Sequence, residues 1–185
     1  MLSTKRASRW LTELYEAELL QAILPELSEK WTKEGGTFPV SANLERILDS
    51  SESGAPINPE HHGGLSREAG SLRWLLRLAS SIAISDQIGG TYKKLVSAVS
   101  GARLRLSNRE TRYLLTVLET SQQVLSCAAQ TTVADDILYE IERVAADDTE
   151  HALLLATAVS ELDPISYPSI TELVDRLLSL HTRHK

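Results

Sequence analysis

Arg109 and Arg112 stand three apart just after Ser107, Arg103 and Arg105 flank Leu104, Lys93 and Lys94 follow Gly90, and Arg73 and Arg77 are four apart. These residue types hold anions: a guanidinium matches two oxygens of a phosphate or carboxylate at once, and an ammonium adds a point charge. From Arg67 to Arg112 nine bases stand against three acids, a net of +6. From Tyr113 to Ile165 ten acids stand against Arg143 alone, a net of −9, and the whole chain is −6. Such a split points to an anionic partner, or to two regions of one chain that face each other. The eight bases named first are the candidate nucleic-acid or anion-binding residues.

Their placement sharpens the question. Arg73 and Arg77 share the polar face of a helix carrying Leu72, Leu75, Leu76, Ala79, Ile82 and Ala83. Lys93 and Lys94 fall in a first helical turn, and so do Arg109 and Arg112. Helix N-termini disfavour cations by roughly 0.3–1 kcal/mol each. Bases there gather positive charge and unpaired amides around a common anion. Arg103 and Arg105, in extended chain, would point to one side. The competing expectation is internal: Ser107 and Glu110 satisfy the first amides themselves, and the acids of 135–150 pack beside the bases. Trp74 and Tyr92 are the only aromatics in the block, which gives little for stacking on single-stranded bases.

Over residues 67–130 this basic, helical pattern is similar to the small helical subunits of CRISPR effector complexes, which line a nucleic-acid channel. That resemblance implies a nucleic-acid-binding subunit. Arg176 and His181 form an Arg-x₄-His arrangement, and this ending is similar to the Arg-x₄₋₆-His motif of the all-α HEPN ribonucleases. The similarity implies that Arg176 and His181 pair across a dimer to cleave RNA.

Other chemistry finds less support. His181 and His184, and His61 and His62, lack the cysteine or carboxylate company of a zinc site. Asp147 to His151 reads as a helix cap, with Glu150 in the first turn. The glycine pairs at 35–36, 63–64 and 89–90 lack the longer phosphate-loop pattern, and no serine sits in a nucleophile elbow. Cys127, the only cysteine, lies in an apolar stretch and reads as a small buried hydrophobe. No catalytic residue, metal or cofactor is expected.

The elements that must position these residues are helical. All nine glycines lie at or before Gly101, no proline occurs between Glu60 and Asp163, and the apolar spacing from Ala102 onward steps by three and four. Trp10, Leu14, Ala17, Leu20, Leu24, Leu27 and Trp31 predict a first helix over 4–33, broken near Leu24 by Pro25 and ended by Gly35-Gly36. Ser41 caps a short helix with Leu44, Ile47 and Leu48. Residues 50–65 have loop composition. After the 66–88 helix comes one from Thr91, stopped at Gly101. A long helix opens at the Ser107–Glu110 capping box. The next starts at Thr132 or Asp135, with Ile137, Leu138, Ile141 and Val144 as its buried side. Asp147 and Glu150 cap a helix carrying Leu154, Leu155, Ala158 and Leu162, and Ser169 and Glu172 cap the last.

The expectation is an all-α, single-domain bundle of seven or eight helices over 1–185, with Trp10, Trp31 and Trp74 as its large anchors. Lys5, Arg6 and Arg9 are followed by Glu13, Glu16 and Glu18, which excludes a standard secretory leader, and the longest apolar stretch, Ala152–Val159, is far below a bilayer span of about 20 residues. A cytoplasmic protein without membrane contact is expected. The function expected is that of a non-enzymatic helical interaction protein, a subunit or adaptor of a larger assembly with protein partners. Nucleic-acid binding through the 67–112 block is the alternative, and HEPN-like RNA cleavage the second.

Overall fold

The most apolar stretch of the sequence becomes the helix around which the others are arranged. The computed structural model describes residues 7–25, 31–32, 35–52, 73–83, 93, 96–97, 99–130 and 132–184. Among these there are eight α-helices and no strand: α1 Ala7–Glu16, α2 Leu19–Ile23, α3 Pro39–Glu52, α4 Arg73–Ile82, α5 Asn108–Ala128, α6 Asp135–Ala145, α7 Thr149–Ser160 and α8 Ile170–His184. The all-α expectation holds. In α7 every residue except Glu150 and Thr157 is buried, because α3, α4, α5 and α8 all pack against it. A helix apolar on every side has no face to give to water and must sit at the centre.

The last four helices run alternately. Tyr113 in the first turns of α5 meets His151 in the first turn of α7, while Arg176 of α8 lies beside Asp135 and His181 beside Glu142 of α6. So α5 and α7 point one way, and α6 and α8 the other. The N-terminal helices close the opposite flank of α7. Pro39 opens α3, where its missing amide costs nothing. Asn43 donates to the Ala158 carbonyl at 3.1 Å, and Arg46 pairs with Glu161. Glu45 accepts from the Ser8 amide and hydroxyl, which ties α1 to α3.

Several boundaries depart from the sequence expectation. The first helix breaks at Glu18, whose φ of 59° is left-handed, and again, as expected, at Leu24 beside Pro25. Only the second break has a local cause, since proline disfavours helical geometry in the residue before it. The earlier break turns Leu20 and Leu24 inward and leaves Trp10, Leu19 and Ile23 exposed. Trp10 is therefore a surface residue and no core anchor. Trp31 is the anchor: it is fully buried, its indole N–H donates to the Ser81 carbonyl at 3.2 Å, and its ring meets Phe38 edge-on.

Gly35 and Gly36 close this turn as expected. Both have positive φ, and their amides bond to Thr32 and Trp31. A Cβ on Gly36 would lie 2.2 Å from the Tyr15 ring. Ser41 is no cap; it lies inside α3, its hydroxyl 2.8 Å from that of Ser80 in α4. Helix α3 continues to Glu52, so the expected loop does not begin at Ser50, and most of its remainder lies outside the described residues. Most of the Thr91 helix lies outside them too. Gly101 does not stop the chain's coiling: a π-helical turn, Val99–Leu104, runs through it.

Candidate functional site

Ser107 caps α5 as its spacing requires. Its hydroxyl accepts from the Glu110 amide at 3.3 Å, and the Glu110 carboxylate accepts from the Ser107 amide at 2.8 Å. The Ser107 hydroxyl, which donates to the Glu110 carboxylate at 2.7 Å, and then the Ser107 amide hold the Glu110 carboxyl below the usual carboxylate range. The Ser107 and Glu110 amides at the leading end of α5 are thus satisfied from within the chain, as the internal expectation had it.

Arg109 and Arg112 project from the first turns of α5 into solvent, and both face Asp148. Burial and the neighbouring Asp147 push the Asp148 carboxyl upward, and the two arginines oppose that shift. Lys93 is exposed and pairs with Glu119 at 3.3 Å. Arg77 is only 6% exposed, so the polar face expected for Arg73 and Arg77 does not exist: α4 is packed between α3, α5 and α7. Arg73 is half-buried and acts on His151. Arg103 lies in the π-helical turn, and Arg105 follows it with φ at 50°, so the pair is not extended. Arg105 is exposed. Lys94 lies outside the described residues. The eight bases do not form one surface. Arg105, Arg109 and Arg112 are exposed just before and within the first turns of α5; Asp148 faces the last two, and Glu119 pairs with Lys93.

A second group, not foreseen, gathers where α5 and α7 begin and α6 and α8 end. His181 is buried, with Nδ1 3.3 Å from Glu142 Oε1 and Nε2 4.0 Å from Glu150 Oε1. The buried His151 ring meets the edge of Tyr113 at 5.7 Å. Burial lowers the His151 pKa and raises that of Tyr113. The sequence signal was there: Glu142 falls four after Leu138 and His181 four after Leu177, both on apolar stripes. Glu150 stands in the first turn of α7 as expected, but a 3₁₀ turn, Ala146–Asp148, leads into that helix, and its N-cap residue, Asp148, makes no side-chain cap.

Because the native state favours a neutral His151, its contribution is complete above the ordinary histidine value of 6.5 and declines as pH falls below it. His151→Phe keeps the ring contact and removes the proton site. The variant is expected to lose less stability than wild type between pH 7.5 and pH 5.0 in thermal unfolding.

Arg176 and His181 are not brought together. Arg176 bonds to the Asp135 carboxylate at 2.5 Å and the Val133 carbonyl at 3.2 Å, while His181 turns inward. Cys127 is buried, and burial pushes its thiol upward. Among the described residues no three His, Cys, Asp or Glu side chains are placed to hold a metal, and no helix is long and apolar enough to cross a membrane.

The surface carries apolar groups the periodicity had assigned inward. Ile137 (43% exposed) and Val144 (48%) lie outside on α6 with Tyr139, and Leu162 is exposed beyond α7. Ile165 is 91% exposed. It sits in the turn Asp163–Ser166, closed by Ser166 N–H to the Asp163 carbonyl at 3.2 Å and by the Ser166 hydroxyl to the Asp163 carboxylate at 2.5 Å. Pro164, at the second position, fixes its own φ. No protein family, curated protein or solved structure matches this chain.

Proposed function

We propose that the protein is a non-enzymatic helical interaction protein, a subunit or adaptor of a larger macromolecular assembly. The support is Ile165: a large aliphatic side chain held almost wholly in water, on a turn stiffened by Pro164 and by three bonds between Ser166 and Asp163. Burying such a side chain is worth about 1.5–3 kcal/mol. A preformed turn offers that to a partner without first having to be ordered. Single exposed apolar residues are common on monomers, but here Leu162 lies three positions away in the same connection and is exposed too.

Affinity capture from the native host, with mass spectrometry of the bound proteins, tests this. Ile165→Asp leaves the core untouched and is expected to keep the unfolding temperature while losing the partners that wild type retains. A wild-type chain that captures no protein would overturn it, and recovery of the same proteins by both would remove the Ile165 turn as the contact. If the captured material is instead nucleic acid, lost with Arg105→Glu and Arg109→Glu, the basic cluster at the start of α5 is the recognition surface.

A further inference from the structure

We propose that the groove between α5 and α6 is a docking site for a basic amphipathic helix from a partner protein; this rests on the interaction role above and names one partner class for it. The groove floor is apolar, with Cys127 from α5 and Ile137 and Ile141 from α6. Val144 continues the same row, so Ile137, Ile141 and Val144 stand at i, i+4 and i+7 along one face of α6. That spacing is one side of a helix-in-helix contact. Ile141 is already buried against the core, whereas Ile137 and Val144 remain more than two-fifths exposed. The row is half covered, and a third helix laid beside it would complete the burial.

Charge decides what kind of helix. The groove lining has two carboxylates, Asp136 and Glu140, and no cation. Arg143, the base of α6, already pairs with Glu140 through two bonds of 2.6 and 3.0 Å, so Asp136 and the net charge of the surrounding segment carry the groove's negative field. The groove belongs to the segment with ten acids and one base. An acidic helix would meet like charge along its length, and a basic one would find opposite charge beside apolar contact. The glutamine amides of Gln122 and Gln123 complete the polar rim.

Fluorescence anisotropy of labelled model peptides of about 18 residues against the full chain tests the groove. Three are compared: Leu/Lys with helical apolar period, the same composition scrambled, and Leu/Glu with the period kept. The periodic Leu/Lys peptide is expected to bind most tightly. Ile137→Gln with Val144→Gln leaves charge, core and helix propensity nearly unchanged, and is expected to weaken it by about tenfold or more. Equal binding of the scrambled peptide, equal binding of Leu/Glu, or no effect of the double substitution overturns the proposal. So does sedimentation showing a self-association that the same substitutions abolish, since a second copy then covers the groove. Loss of native partners by Ile165→Asp with no peptide binding removes the groove and leaves the interaction role standing. Peptide binding with no effect at Ile165 does the reverse for the turn.

Discussion

Replacing Trp31 by alanine is expected to remove about 3–5 kcal/mol of stability, the range for deleting a large buried aromatic. The indole is wholly inside, fills the space between Phe38 and α4, and donates to the Ser81 carbonyl. Alanine leaves both a cavity and a carbonyl deprived of this donor. Trp31→Phe should recover much of the packing without the N–H, and so fall between the two. Urea titration followed by far-ultraviolet circular dichroism measures all three. An alanine variant within about 1 kcal/mol of wild type would mean that Trp31 is not the anchor of the N-terminal helices.

The second large effect is at the buried pair on α6 and α8. Glu142→Leu leaves His181 Nδ1 facing an aliphatic group where a carboxylate lay at 3.3 Å. A buried polar group stripped of its partner costs about 1–3 kcal/mol. Converting both residues, Glu142→Leu with His181→Leu, removes the stranded group as well and is expected to regain most of the loss. The quantity that matters is the coupling energy from the four-member cycle of single and double variants. Independent, additive losses would show that the two side chains do not act as a pair.

Fold class and most of the C-terminal half were legible because their signals are local. Three- and four-residue apolar steps, the absence of glycine and proline after Gly101 until Pro164, and the Ser107–Glu110 box locate α5, α7 and α8 within a residue or two. The break at Glu18 was illegible, since no glycine or proline marks its left-handed φ, after which Leu20 and Leu24 face the core. Arg77 was misplaced for a similar reason: periodicity assigns a base to the solvent side, but α4 has three helices around it. The same logic put Ile137 and Val144 inside. A stripe in sequence shows that a helix has an apolar face; it does not show whether the rest of the chain covers all of that face.

The candidate sites divide along the same line. The bases were visible as a charge block, but their surroundings depend on acids far along the chain: Lys93 pairs with Glu119, and Arg109 and Arg112 lie within electrostatic reach of Asp148. His181 and Glu142 lie 39 positions apart. Nothing in either neighbourhood names the other, although each polar residue interrupts an apolar row. The Ile165 turn was spelled out locally by Asp163, Pro164 and Ser166; only its exposure was not.

The central position of α7 bears on how the chain is made. Asn43 of α3 waits for the carbonyl of Ala158, 115 residues later. At a synthesis rate of about 5–20 residues per second, roughly 6–23 seconds pass before the ribosome delivers that partner. For that interval the side of α3 destined for α7 has no permanent cover. A chain halted before Ala158 keeps that side open to aggregation.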